Sequence, residues 1–288
     1  MSHFSIAGLQ LALPNDDNLT VIREQITQCK KRFPWVDMIV LSELASFGPA
    51  KKYAQSLPGA AEAFYCQLAK DLDVWIIPGS LYEKVDDQIF NTASVINPSG
   101  EVVKRYRKIY PFYPYEKDVT EGSEFVVFDV PQGRIGVAIC YDIWFPEVAR
   151  AMVCEGAEIL IYPTMTGTVD RPVEVTIAKA TAAINQSYVF AINGAGAQGN
   201  GQSVVAGPDG DAVYTAGIGE EIIPLEFDFD WVRRTRERGI HQLGQTLKSF
   251  RDNKVVFPQY QSNQLRQTTL EKLGPLVVPD QEITQLDQ

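Results

Sequence analysis

Short runs rich in β-branched residues and bounded by turn formers predict strands in this chain. Longer stretches with apolar positions three or four apart predict helices. Residues 4–10 predict a strand, and 18–33 an amphipathic helix preceded by the turn cluster Asn15-Asp16-Asp17. Residues 36–41 predict a buried strand that stops at Ser42-Glu43, followed by a helix over 60–72 and a second buried strand over 74–78. Residues 91–97 and 101–106 predict a hairpin about Pro98-Ser99-Gly100, and 125–130 and 134–139 a further pair about Pro131-Gln132-Gly133. The second half repeats this grammar, with a helix over 146–154, a strand over 158–162, a helix over 173–185 and a strand over 188–193. Strands over 203–206, 211–214 and 221–228 follow. Helices alternating with strands, and hairpins closing each half, predict an α/β fold with large sheets buried under helices.

No linker rich in Pro, Gly or Ser divides the chain, so residues 1–257 are expected to form one domain of two similar halves. Periodicity fades from Lys248 onward. Pro258, Pro275, Pro279 and several late glutamines predict an extended arm over 258–288, placed at a subunit interface, although a frayed tail would have the same composition.

Charge narrows the class. The 288 residues carry 26 Lys and Arg against 36 Asp and Glu, a formal net charge of -10. That balance disfavours nucleic acid and anionic membrane as partners. No apolar run approaches the roughly 20 residues of a membrane span. The first residues show no secretory signal pattern, so a cytoplasmic location is expected. Cys29, Cys66, Cys140 and Cys154 fall in no metal-type or C-x-x-C spacing, and neither a metal nor an organic cofactor is expected. Gly194-Ala195-Gly196-Ala197-Gln198-Gly199 fits G-x-G-x-x-G, but another strand pattern follows instead of a helix, so a loop is predicted and not a dinucleotide site. Arg233, Arg234, Arg236 and Arg238 are expected on a solvated helix face.

The candidate chemistry centres on Gly133-Arg134-Ile135-Gly136-Val137-Ala138-Ile139-Cys140-Tyr141-Asp142, an apolar strand that delivers a cysteine to its C-terminal end just before the helix signal Phe145-Pro146-Glu147. A thiol between a strand end and a helix start is placed where backbone N–H groups favour a thiolate, though a lone cysteine serves equally as a small core residue. With only two histidines in the chain, His3 and His241, a nucleophilic Cys140 points to a carboxylate base. Glu43 ends a buried strand, where a carboxylate faces the crevice of an α/β sheet. Lys108 precedes the aromatic and proline run Ile109-Tyr110-Pro111-Phe112-Tyr113-Pro114-Tyr115, which predicts partial desolvation and pairing with a carboxylate, and Glu116 closes that run.

Taken together, Glu43, then Tyr106-Arg107-Lys108, then Cys140-Tyr141-Asp142 with Phe145-Pro146-Glu147, resemble the nitrilase superfamily of carbon–nitrogen hydrolases, from Ile6 to the neighbourhood of Arg238. Gly156-Ala157-Glu158-Ile159-Leu160 and Asn193-Gly194 are part of the match. The resemblance implies a four-layer α–β–β–α sandwich with two pseudo-symmetric halves, covalent thiol catalysis on a non-peptide C–N bond of a small-molecule amide, and a homodimer or higher homo-oligomer. It implies that Glu43 takes the Cys140 proton and later activates water. Lys108 and the Tyr141 backbone N–H would face the oxyanion, with Glu116 supporting the lysine. Asp142 and Arg150 would fix the loop after the nucleophile.

Tyr113, Tyr141, Trp144, Thr164 and Met165, in loops following these elements or at the end of the 158–162 strand, are candidate pocket walls; each would serve equally as ordinary packing. True nitrilases of the family carry Trp then Glu after the cysteine, so Tyr141-Asp142 favours amides over nitriles. The spacing from Lys108 to Glu116 resembles the aliphatic amidase and formamidase branch, whereas the residues around Cys140 are closer to the ω-amidase and carbamoyl-hydrolase pattern. Four alternatives stand beside the amidase reading. They are N-carbamoyl or nitrile hydrolysis on the same site, acyl transfer to an acceptor other than water, an inactive family member acting as a binding protein, and a peroxide-sensing thiol resolved by Cys154.

Overall fold

The computed structural model describes residues 2–260 and 270–277. The first half contains β1 (His3–Gln10), α1 (Leu19–Arg32), β2 (Met38–Leu41), α2 (Ala60–Leu72), β3 (Trp75–Ile77), β4 (Leu81–Val85), β5 (Gln88–Ile96) and β6 (Val102–Arg107). The second contains β7 (Val126–Val130), β8 (Gly133–Val137), α3 (Pro146–Cys154), β9 (Ile159–Thr164), α4 (Arg171–Asn185), β10 (Tyr188–Asn193), β11 (Val204–Ala206), β12 (Ala212–Thr215), β13 (Glu221–Asp228), α5 (Phe229–Arg238) and α6 (Thr246–Asp252).

Two sheets result. One has the order β13-β1-β2-β3-β5-β4, with β6 also paired to β5; the other runs β12-β11-β10-β9-β8-β7. Each is built on a parallel trio, β1-β2-β3 in one and β8-β9-β10 in the other. Antiparallel strands flank both trios. This is the pseudo-symmetry expected of a repeated helix–strand grammar.

Side chains alternate across the first sheet. Phe4, Ile6, Met38 and Val40 enter the core shared with the second sheet, while Ala7, Leu9, Ile39 and Leu41 pack with Ile22 and Ile26 of α1 and Tyr65 and Leu68 of α2. All four residues of β2 are buried, as a strand covered on both faces requires. On the second sheet α3 covers the outer face, and Gly136 lies directly beneath Met152. The layers therefore run helix, sheet, sheet, helix. The sheets approach closely at Gly8, where an added Cβ would fall 2.0 Å from Cδ1 of Ile192.

Several expectations need correction. β4 carries two charged residues in five and was missed by the apolar pattern. α6 forms where periodicity was expected to fade, and it is an exposed helix without a buried residue. The basic face of α5 is solvated at Arg233, Arg234 and Arg238, as expected, but it also makes specific pairings and Arg236 is half-buried. Arg233 pairs with Glu158, Arg234 with Asp228, and Arg236 donates to the Gln186 and Ala157 carbonyls. Of the arm expected over 258–288, residues 261–269 and 278–288 lie outside the described residues, and the described remainder is exposed.

Candidate active site

The site forms where the C-terminal ends of strands from both sheets meet. β8 stops at Val137, and Ala138 still donates to Ile161 at 3.1 Å before the chain turns sharply at Cys140. Cys140 has φ 46°, a left-handed conformation that costs a residue with a Cβ on the order of 1–3 kcal/mol. It opens a short 3₁₀ turn, Cys140–Trp144, and α3 begins only at Pro146. The thiol is therefore not at an α-helix N-terminus.

Asp142 pins this turn. Its buried carboxylate accepts from the Ile139 N–H at 2.9 Å, the Tyr110 N–H at 2.9 Å and the Tyr106 hydroxyl at 2.7 Å. Tyr106 belongs to β6 of the first sheet, so one carboxylate ties the strand leading to Lys108 to the turn that carries Cys140. Burial pushes Asp142 up to about 6, with these hydrogen bonds opposing the rise. Arg150 is not part of this clamp. Its guanidinium donates to the Ile184 carbonyl and lies over the Phe250 ring.

Glu43 follows β2 and is 3% exposed, and its backbone N–H donates across to Thr164 at 3.2 Å. Lys108 follows β6 and is 1% exposed. Its Nζ donates to Oε1 of Glu43 at 2.8 Å and Oε2 of Glu116 at 2.7 Å. Glu116 reaches it because the aromatic run folds back on itself, with the Phe112 N–H donating to Glu116 Oε2 at 2.6 Å. Asn91 completes the cluster. Its Nδ2 donates to Glu43 at 2.8 Å and its carbonyl accepts from the Lys108 N–H. Asn91 was missed because an asparagine inside a strand carries no sequence signal.

The charges follow from burial. Burial raises the Glu43 carboxyl above its ordinary value against the pull of Lys108, and the Glu116 carboxylate adds to the rise. Burial works against the Lys108 ammonium, but Glu43, Cys140 and Glu116 outweigh it and hold the lysine charged. Burial and then the Glu43 charge push the Cys140 thiol well above its ordinary value, with Lys108 opposing. Burial and the Glu43 charge thus disfavour the thiolate at rest, contrary to the expectation that backbone N–H groups stabilise it.

Two cavity chambers share Cys140, Phe112 and Met165 as walls. One, of about 240 Å³, also reaches Glu43, Lys108, Glu116, Tyr82 and Tyr115. The other, of about 90 Å³, is lined by Tyr141, Thr166, Asp170 and Glu174. Of the expected wall residues, Tyr141 and Met165 line this space. Tyr113 does not, because its hydroxyl is bound to the Val119 carbonyl and Glu121, and Phe112 and Tyr115 stand there instead. Thr164 is buried with its hydroxyl donating to Ile192 O, and Trp144 directs its indole N–H to Glu174; neither lines the chambers. Thr166 and Asp170 were missed because the loop after β9 has no periodicity, and Glu174 because an acidic residue in the first turn of a helix is ordinary. His3 and His241 are exposed and line neither chamber.

Fold and site together define a class: a double α/β sandwich with a cysteine on a strained turn between its sheets, beside a buried carboxylate–ammonium–carboxylate cluster. Residues 6–237 match the family model described as carbon–nitrogen hydrolase, and the chain belongs to this family, within the nitrilase superfamily. It is 30% identical over 202 residues to omega-amidase NIT2-A of Xenopus laevis, covering 65% of this chain and 73% of that protein. It is 28% identical over 259 residues to human omega-amidase NIT2, covering 83% of this chain and 93% of the relative. Among solved structures, Saccharomyces cerevisiae Nit3, a member of branch 10 of the nitrilase superfamily, aligns with TM-score 0.76 at 28% identity, over 82% of this chain and 93% of that one. A carbon–nitrogen hydrolase from Helicobacter pylori G27 aligns with TM-score 0.79 at 26% identity, over 90% and 98%.

Proposed function

We propose that this enzyme is a thiol amidase that hydrolyses the C–N bond of a small non-peptide amide to a carboxylate and ammonia. The observation that carries the reading is the buried Glu43–Lys108–Glu116 cluster in contact with a cysteine that opens onto a cavity. Three charges have been taken out of water beside one nucleophile, an arrangement that ordinary packing has no reason to build. The family match and the omega-amidase relatives support the amide as the bond attacked.

The raised carboxyl of Glu43 suits it to accept a thiol proton. As it does so, Cys140 Sγ adds to the amide carbonyl. The resulting oxyanion is held by the Lys108 ammonium and the N–H of Tyr141, which stands in the first turn of the 3₁₀ segment where backbone donors lack intrahelical partners. Glu43 then gives its proton to the departing nitrogen, ammonia leaves, and a thioester remains. Water adds to the thioester as Glu43 takes its proton, and collapse releases the carboxylate and restores the thiol.

The test is ammonia release from a panel of small amides, ω-amides, carbamoyl compounds and nitriles, with Cys140→Ala as control. Release from an amide, abolished in the variant, is the expected result. Release from only a carbamoyl compound or a nitrile would move the substrate class. Silence across the panel, with Cys140 inert to alkylation, would leave the binding-protein reading in its place.

A further inference from the structure

The smaller chamber holds charge that the mechanism does not use. Thr166 is 6% exposed, and its hydroxyl has a single partner among the described residues, the Cys140 sulfur at 3.8 Å, a weak contact. Its backbone is fixed from both sides by Asn193, whose Oδ1 accepts the Thr166 N–H at 2.8 Å and whose Nδ2 donates to the Thr166 carbonyl at 2.9 Å. A rigidly held, nearly buried hydroxyl with no oxygen or nitrogen partner, aimed at the thiol on a cavity wall, is a group waiting for a ligand.

Asp170 and Glu174 stand on the same wall. Glu174 accepts from Arg171 at 2.9 Å and from the Trp144 indole at 3.3 Å. Asp170 is half-buried and accepts from the Thr168 hydroxyl, with no cationic partner among the described residues. The Arg171 guanidinium is buried and committed to Glu174, with its other nitrogen donating to the Gln202 carbonyl. The cations of the larger chamber are committed as well: Lys108 to Glu43 and Glu116, and Lys51 to Asp118. Among the described residues no free cation therefore lines either chamber, while the Asp170 carboxylate is left over.

We propose that the chamber formed by Thr166, Asp170 and Glu174 selects amides whose distal end carries a positive charge, an ammonium or guanidinium group. This inference rests on the thiol-amidase reading of Cys140. A chamber of about 90 Å³ has room for an ammonium and the methylenes beside it. The Thr166 hydroxyl and the Asp170 carboxylate would accept its protons, and Glu174 would add a second negative field. A carboxylate-ended substrate would meet like charge there with nothing to offset it.

The test compares three chains of matched length: δ-aminovaleramide, valeramide and glutaramate. The expected kcat/KM for the cationic amide exceeds that of the neutral one by about fivefold or more, the scale of one partly exposed ion pair, with the anionic amide lowest. Asp170→Asn, and separately Glu174→Gln, should lower the cationic-to-neutral ratio. If a variant fails to fold, the wild-type ratio should still fall as salt is raised, because the preference is electrostatic. A neutral or anionic preference, or a ratio indifferent to both salt and Asp170→Asn, overturns the proposal. If no amide is hydrolysed, the amidase reading fails separately. Calorimetry on Cys140→Ala then still reads the chamber: tighter binding of the cationic amide upholds it, and equal binding of all three overturns it.

Discussion

Lys108→Met removes the cation held between the buried Glu43 carboxylate and the partly exposed Glu116 carboxylate and leaves most of the side-chain volume in place. With Lys108 1% exposed and contacts of 2.8 and 2.7 Å, the variant loses both halves of a buried ionic cluster. Breaking such a pair from one side costs about 3–5 kcal/mol. At roughly 2–4 °C per kcal/mol for a chain of this size, the melting temperature at pH 8 should fall on the order of 10 °C. The pH dependence carries the sharper test. Glu43 already titrates above its ordinary value, and without the ammonium its folded value rises further. A carboxyl raised in the folded state contributes stability below its unfolded value, about 4.3, and loses that contribution as pH rises through the folded value. The deficit should therefore be largest at pH 8 and shrink at pH 5. Turnover should fall about a hundredfold to a thousandfold with the loss of one oxyanion donor. Differential scanning calorimetry across pH, with ammonia release at pH 7.5 (about neutral, where the family chemistry is expected to run), reads both. A variant that melts with the wild type at pH 8, or whose deficit grows toward pH 5, would refute the buried-cluster account.

Four further outcomes are expected. Glu43→Gln should abolish ammonia release, since the reaction loses the group that takes the thiol proton and returns it to the departing nitrogen; turnover near the wild-type rate would remove Glu43 from that role. In Glu116→Gln the carboxylate that helps raise Glu43 is gone, so the acid limb of the kcat/KM profile should move to lower pH and kcat should fall; an unmoved limb would disprove the coupling. Tyr106→Phe removes a donor from Asp142, which already sits at about 6. Asp142 should rise further, stability near pH 8 should drop by about 1.5–3 kcal/mol, and an NMR titration of the Asp142 carboxyl that shifts downward would contradict the clamp. Gly8→Ala should destabilise by about 1–3 kcal/mol through overpacking against Ile192, measured by urea denaturation; wild-type stability would mean that the sheets are not held this close.

The parallel trios were the most legible part of the fold because β2, β9 and β10 are continuously apolar, and buried parallel strands produce that pattern. β4 was not legible. As an edge strand it keeps polar residues, and only its pairing with β5 makes it a strand. Within the site, Glu43, Lys108 and Cys140 stood out because each ends or follows an apolar strand, and strand ends converge in an α/β sandwich. Glu116 came from the family resemblance, and its contact depends on a loop that folds back through Phe112. Thr166, Asp170 and Glu174 lie in and beyond a loop whose position is set by Asn193, nearly thirty residues later. No local pattern announces a contact of that range.

The second carboxylate has a physical reason that the first cannot supply. In the proposed mechanism Glu43 becomes neutral when it accepts a proton, and a lysine paired with Glu43 alone would then be a buried ammonium without a counterion at the moment its charge is needed. Glu116, at 2.7 Å on the other side of Nζ, keeps the lysine paired through that step. Its charge also adds to the burial that raises Glu43 above its ordinary value. The lysine is thereby held charged and stationary while the proton moves between Glu43, sulfur and the departing nitrogen. Its resistance to titration follows from the same geometry: three acidic partners, Glu43, Cys140 and Glu116, together outweigh the cost of its burial. Electrostatic preorganisation of this kind requires that the charge facing the oxyanion be settled before the substrate arrives. In the proposed mechanism the three-part cluster does so without a histidine, which suits a chain whose two histidines are both exposed.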